Sequence, residues 1–389
     1  MVKNYISIYV HWPFCLSLCP YCDFNSHILQ NIDYDLWCSL YNTEIDFFKS
    51  NITGKYIKSI FFGGGTPSLM PPKLVQSILD SLAHYGIIDS NTEITLETNP
   101  TSYEADKFKN FKNAGINRVS IGIQSIRDEN LKFLGRNHSA SEAIKVVTSA
   151  AEIFDRYSVD LIYALPNQTL QDWQYEMKEA LKFVGKHISL YQLTIEKGTP
   201  FYSLHKRNAF SLPPEDVSAD MYEWTNQYLS EYGYNRYEIS NYAYPGEESV
   251  HNLTYWNYEE YLGIGAGAHS RLHIEDKIVA IMMINAPQKW ATNITEYGHA
   301  IQTRKNLLQK DIIKEHLMMG TRLISGLNQH NFYATTGKKF AEILDQHKLN
   351  QYQELGLVTF NHDIMKLTDK GLMLHNYIIA QLALDEIFS

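Results

Sequence analysis

The chain is poor in cysteine, has no excess of positive charge and carries no long apolar run. Four cysteines in 389 residues cannot staple a chain of this length, which excludes a disulfide framework. A formal net charge of −9 lacks the basic footprint of a nucleic-acid binder. No stretch approaches the ~18 apolar residues of a membrane span, and 279–284 is the longest plain aliphatic run. The chain starts with a short apolar strand broken by His11 and Pro13, which is not the pattern of a secretory signal. These absences lead to the expectation of a reducing, cytoplasmic setting.

The few cysteines that exist are concentrated. Cys15, Cys19 and Cys22 stand C-x3-C-x2-C within 11–24. Three thiolates from one short loop can hold three irons of a [4Fe–4S] cube and leave the fourth iron open. Zinc is the competing reading, with His11 or His27 as a further ligand, although zinc sites usually pair C-x2-C units or add histidines to reach four ligands. Cys38 lies in 33–49, where Trp37, Cys38, Tyr41, Ile45 and Phe48 recur at helical spacing, and reads as a core thiol. The 27 tyrosines suit ordinary packing, and also a large flat ligand.

The chain exceeds the roughly 250–300 residues at which single cores stop growing, so a large domain plus a smaller one is expected. From residue 7 to about 195, apolar runs alternate with amphipathic helices. Strands are expected at 7–11, 57–62, 93–98, 118–124, 159–163 and 188–193, and helices at 33–49, 72–85, 103–114, 141–154 and 169–184. Ser139 with Glu142, and Thr169 with Asp172, have capping-box form. Gly86 and Gly115 stand where helices end. The fold class is α/β: a partial, TIM-like (βα)6 barrel, with a doubly wound sheet as the alternative. Chemistry in such folds gathers at the carboxyl ends of the strands. Here those ends carry the cysteine loop, Gly63-Gly64-Gly65-Thr66-Pro67, Glu97-Thr98-Asn99-Pro100, Gly122-Ile123-Gln124-Ser125, Asp160, and Tyr191 with Gln192 and Thr194. The glycines let backbone approach a ligand and leave N–H and C=O groups to bind it.

After Pro200 the rhythm changes. A helix is expected from 212 to about 231, a strand at 237–240, an irregular Gly- and aromatic-rich segment at 251–270, and a hairpin around Glu275-Asp276. From about 307 the outline is helix, helix, hairpin (about 361–363) and helix. That is a C-terminal α+β region with a winged-helix-like module, and the acidic balance favours packing or a partner over DNA. The expected division is 1–240, a connecting segment at 241–300, and 301–389.

The cysteine loop, the GGGTP stretch and the βα rhythm resemble the radical S-adenosylmethionine (SAM) superfamily. Almost end to end, the chain resembles the branch holding oxygen-independent coproporphyrinogen III dehydrogenase and its haem-chaperone relatives. The matching stretches are 134–136 (LGR), 160–166 (DLIYALP), 237–242 (YEISNY) and 263–270 (GIGAGAHS). The resemblance implies that Cys15, Cys19 and Cys22 are the cluster ligands. It further implies that Tyr9, Gly64, Gly65, Thr66 and Glu97 contact SAM, and that Gln124, Arg136 and Asp160 match residues that bind a second SAM in the dehydrogenase. Ala164 stands where the branch usually has glycine. Phe24 occupies the position of the dehydrogenase's fourth cysteine, and only eight residues precede Tyr9. Both point to the chaperones, as does His251-Asn252-Leu253-Thr254-Tyr255-Trp256, which matches their HNxxYW stretch. Histidine is a ready haem ligand, so His251 is the expected one. The resemblance then implies a cluster, SAM and haem as cofactors. The implied partners are an electron donor and a haem-accepting protein such as a respiratory-chain enzyme, through which the chain could meet a membrane peripherally. No nucleic acid is expected. The implied function is transfer of haem, with oxidative decarboxylation of coproporphyrinogen III as the alternative.

Overall fold

The computed structural model describes residues 4–28, 31–361, 363–384 and 387. Six parallel strands follow one another in chain order: β1 (Tyr5–Trp12), β2 (Tyr56–Gly64), β3 (Glu93–Thr98), β4 (Arg118–Gln124), β5 (Arg156–Tyr163) and β6 (His187–Gln192). Each pairs with the next. The order has no reversal, which removes the doubly wound alternative, whose strand order must switch direction. The six-unit open barrel is therefore the architecture.

Segment 241–300 is drawn into this sheet. After β7 (Asn235–Arg236) and β8 (Asn241–Ala243), strand β9 (Tyr261–Ile264) pairs in parallel with β1. It is a seventh parallel strand where an irregular segment was expected. Antiparallel β10 (His269–Ile274), β11 (Lys277–Met283) and β12 (Ile301–Asn306) continue from it. The full order is β12-β11-β10-β9-β1-β2-β3-β4-β5-β6-β8-β7. The β10–β11 hairpin turns on Glu275 and Asp276, both at positive φ, as a tight hairpin turn requires. The expected strand at 237–240 lies instead at β8.

Register explains which side chains face inward. Aligned partners across β1 to β6 place Ser7, Ser59, Glu93 and Thr95, Arg118 and Ser120, Ser158, and His187 on one face. The alternate residues, such as Ile8, Val10, Ile60, Phe62, Leu96, Val119, Ile121, Val159, Leu161 and Ile188, are buried against the outer helices. The outer layer is thus the apolar core. The inner layer is polar, whereas a closed eight-stranded barrel fills its centre with branched apolar residues.

The floor of the barrel is closed by a short helix, Val250–Trp256. Glu93 opens β3 and is fully buried. Its carboxylate accepts the N–H groups of Val250 (3.2 Å) and His251 (3.1 Å) at the start of that helix. It also pairs with Arg156 at 2.8 Å and with Arg118 at 4.0 Å. Farther along, Thr254 meets Ser7 at 2.8 Å.

The expected capping boxes at Ser139/Glu142 and Thr169/Asp172 are both formed. The C-terminal region has its own apolar cluster around Phe332, Phe340, Leu349 and Met365. Its three-stranded sheet runs Leu327–Asn328, Ile364–Leu367, Val358–Phe360. Of the hairpin turn expected at 361–363, His362 lies outside the described residues. The module docks on the floor helix: the Arg322 guanidinium lies 4.6 Å from the Trp256 ring centroid and donates to Glu238 at 3.1 Å.

Removing one member of a buried charge cluster leaves the others unpaired, at about 3–5 kcal/mol. Glu93→Ala is expected to destabilise the protein by that amount, read as a lower midpoint in urea unfolding. A loss below about 1 kcal/mol would remove Glu93 from this role.

Candidate functional site

A single cavity of about 410 Å³ opens at the carboxyl ends of the parallel strands. The cysteine loop forms one wall. Its register is tied down twice: His27 N–H donates to the Pro13 carbonyl at 2.7 Å, and Asn25 donates to the carbonyls of Ala266 and Asn285 at 2.9 and 3.0 Å. His11 adds a third tie, through Nε2 and the Asn25 carbonyl at 2.9 Å. A carbonyl only accepts, so Nε2 carries the proton and Nδ1 accepts from the Tyr9 hydroxyl at 3.0 Å. Both nitrogens of His11 are therefore committed. His27 is hydrogen-bonded to Asn25 at 3.0 Å. Among the described residues no three His, Cys, Asp or Glu side chains converge on one ion. Thiolates that each hold a different iron need not meet at one point, so the donor set fits the cluster.

Cys15, Cys19, Cys22, Gly64, Gly65, Thr66, Glu97, Gln124, Arg136 and Asp160 all line this cavity. Two glycines are required by geometry. Gly64 has φ +113°, and a Cβ there would stand 2.6 Å from the His11 ring. A Cβ on Gly65 would meet the Phe14 carbonyl oxygen at 2.7 Å. Their amides are not free, contrary to the expectation that they serve a ligand. Gly64 N–H donates to Glu97 (3.2 Å), Gly65 N–H to the Trp12 carbonyl (2.7 Å) and Thr66 N–H to the Phe14 carbonyl (2.8 Å). What the stretch gives a ligand is room.

The lining is acidic. Burial and the neighbouring Asp160 carboxylate push Glu97 up to about 8. Burial pushes Asp160 up to about 6, against the stabilising hydroxyls of Ser189 and Ser120 and the charge of Arg118. Glu104, which sequence reasoning missed, is raised by burial to about 7. Arg136 is the cavity's guanidinium, and it is engaged: it donates to Cys19 Sγ at 3.2 Å, Asn99 Oδ1 at 2.6 Å and the Gly122 carbonyl at 3.0 Å. Asn99, named in the sequence only as part of the strand end 97–100, carries no assigned role there; its partner Arg136 gives it one. Gln124 ends β4 in the left-handed region, at φ +66°. Ala164 is left-handed too, at φ +58°, a conformation that costs an L-residue roughly 1–2 kcal/mol and glycine little.

Two expected site residues lie elsewhere. Tyr9 does not line the cavity; its ring lies beside the stacked pair of Phe61 and His251, with centroids 6.3 and 6.2 Å away. His251 is buried inside the barrel, one layer below. Its Nδ1 is hydrogen-bonded to Ser59 at 2.8 Å and its Nε2 to Tyr255 at 2.9 Å. Burial holds it neutral, lowered to about 3. Both nitrogens are hydrogen-bonded in this structure, and His251, the expected haem ligand, sits in the barrel floor outside the cavity. Trp256 is likewise covered, by Arg322.

A partial parallel barrel with a three-cysteine loop at its carboxyl mouth defines a radical SAM protein. The Radical SAM superfamily model matches residues 9–180, and the HemN C-terminal domain model residues 307–374. The chain is 34% identical over 377 residues to the heme chaperone HemW of Escherichia coli, spanning 96% of this chain and 97% of that one. It is 33% identical to the mitochondrial radical S-adenosyl methionine domain-containing protein 1 of Bos taurus, over 97% and 87% of the two chains. It is 32% identical to the HemW of Bacillus subtilis, over 96% and 98%. The chain belongs to the HemW family of radical SAM proteins. Its fold matches the solved coproporphyrinogen III oxidase HemN of E. coli with a TM-score of 0.82 at 22% identity, over 97% of this chain and 89% of that one.

The family implies a [4Fe–4S] cluster and SAM, and the acidic lining suits a sulfonium cation. An ionised carboxylate favours a cation, and Glu97 ionises only above about 8. SAM affinity is therefore expected to rise between pH 6 and 8.5 and binding to release protons, measured by calorimetry in buffers of different ionisation enthalpy. Glu97→Gln should flatten that dependence; an unchanged profile would count against Glu97.

Proposed function

We propose that this protein is a haem chaperone. It carries a [4Fe–4S] cluster on Cys15, Cys19 and Cys22, binds SAM in the adjoining cavity, and hands haem to an acceptor haemoprotein such as a respiratory enzyme. The observation that carries this reading is the near end-to-end similarity to proteins named heme chaperone. A cluster with one open iron supplies an electron and a chelation point for the amino-acid end of SAM. Gly64 and Gly65 leave the room for that ligand, Thr66 steadies a thiolate, and Glu97 and Asp160 supply negative charge opposite the sulfonium. Gln124 closes the rim at the end of β4.

Haem is better suited to the mouth than to the depth. Its propionates are anionic, and the inner lining holds Glu97, Asp160 and Glu104. The mouth is apolar: Leu16, Leu18 and Phe24 line it and stand 73%, 49% and 63% exposed. Exposed apolar side chains gathered at one rim favour a flat apolar face. Among the described residues no helix is long and apolar enough to cross a membrane. A reducing compartment suits four free thiols.

Haem titration of the cluster-loaded protein is expected to saturate at one equivalent. Anaerobic incubation with SAM, reductant and coproporphyrinogen III should yield no protoporphyrinogen. Sustained turnover would replace the chaperone by the dehydrogenase. His251→Ala is expected to leave the haem-bound visible spectrum unchanged and to lower the thermal midpoint by a few degrees, since it empties part of the floor. Loss of haem binding with unchanged stability would restore His251 as ligand.

A further inference from the structure

Three side chains, Arg136, Asn99 and Thr66, join Cys19 to Cys15 in one connected line. Arg136 donates from one nitrogen to Cys19 Sγ (3.2 Å) and from the other to Asn99 Oδ1 (2.6 Å). Asn99 Nδ2 donates to Thr66 Oγ1 at 3.2 Å, and Thr66 Oγ1 donates to Cys15 Sγ at 3.4 Å. The direction of every link is forced. A guanidinium can only donate, so the amide atom facing it is the oxygen. That turns the amide nitrogen, also a pure donor, toward Thr66. The Thr66 oxygen then accepts from Asn99, and its own proton is left for the sulfur. The Gly122 carbonyl, 3.0 Å from Arg136, holds the far end on the barrel wall. Cys22 is outside this line; its sulfur takes the Phe24 N–H instead.

We infer that Asn99 is the centre of a hydrogen-bond relay that fixes the Cys15 and Cys19 thiolates together and sets the reduction potential of the cluster they carry. The inference rests on the reading of the three cysteines as cluster ligands. Hydrogen bonds to ligand sulfurs draw electron density from them and stabilise the more negative, reduced cluster. Partners behind the ligands also fix ligand orientation. Arg136 is a positioning and tuning residue in this arrangement. Asn99 alone touches both arms, so it couples them. An aspartate of the same shape would accept from Arg136 but could not donate to Thr66. The Thr66 proton would then turn to the new carboxylate and leave Cys15.

The test is a potentiometric titration, followed by electron paramagnetic resonance, of the reconstituted full-length protein without SAM. Iron and sulfide are assayed on every sample, and SAM affinity is measured separately. Asn99→Asp, Asn99→Ala and Thr66→Val should each shift the midpoint to more negative potential. Thr66→Ser keeps the hydroxyl and should restore the wild-type value. Combining Asn99→Ala with Thr66→Val should shift the potential by less than the sum of the two single changes. Wild-type midpoints in Asn99→Ala and Thr66→Val at full iron content would overturn the relay. A fall in SAM affinity with no change in potential would also overturn it, and would make these residues ligand contacts. A wild-type protein that takes up no iron or sulfide would overturn the cluster reading and the relay with it, and is told apart by the assay itself.

Discussion

The structure depends on one constraint: the inward face of the barrel is polar, and below the cavity its buried groups must satisfy one another. A buried carboxylate left alone is costly. Glu93 escapes that cost because two arginines and the amides of a helix start converge on it. The helix it receives is the floor. The polar lining and the floor helix are therefore one device, since neither is stable without the other. The outer face carries the apolar burial, which leaves the inner face available for chemistry.

From the floor, contacts lead upward to the cysteines. His251 is held by Ser59 and Tyr255, and its ring lies 6.2 Å from that of Tyr9. The Asn25 carbonyl within the cysteine loop fixes the tautomer of His11, whose Nδ1 then accepts from the Tyr9 hydroxyl. Each step is short and buried. The HNxxYW helix thus reaches the loop without touching the cavity, by ordering the layer beneath it.

Much of this was legible in the sequence because it is local. The six parallel strands announce themselves as apolar runs, and the capping residues at Ser139 and Thr169 need only their own next turn. The cysteine spacing and the glycines of 63–65 also carry their meaning within a few residues. What was not legible is set by partners far along the chain. β9 reads as a Gly-rich irregular stretch because its strand character comes from β1, about 250 residues earlier. His251 reads as a loop ligand until Ser59, 192 residues away, is seen to occupy its Nδ1. The amides of 64–66 look free until Glu97 and the carbonyls of Trp12 and Phe14 claim them. Asn99 carries no motif; its importance lies in facing Arg136 and Thr66 together.

The same distinction explains how the C-terminal module is joined. Its apolar cluster is distinct from that of the barrel, and Ile239, just before β8, is the barrel-side residue that packs against it. The joint is made at the floor helix and the turn after it. Arg322 covers Trp256 and pairs with Glu238, and His316 stacks on Tyr258 at 5.0 Å. Glu315 takes both the Tyr258 hydroxyl and the Arg271 guanidinium. Segment 250–258 is thus gripped from two sides, by Glu93 within the barrel and by the module outside. An aromatic, polar segment of this kind would be poor material for an isolated surface loop. Placed between two bodies, its tryptophan and tyrosines have partners on both faces. That is a physical reason for the aromatic and polar make-up of this segment.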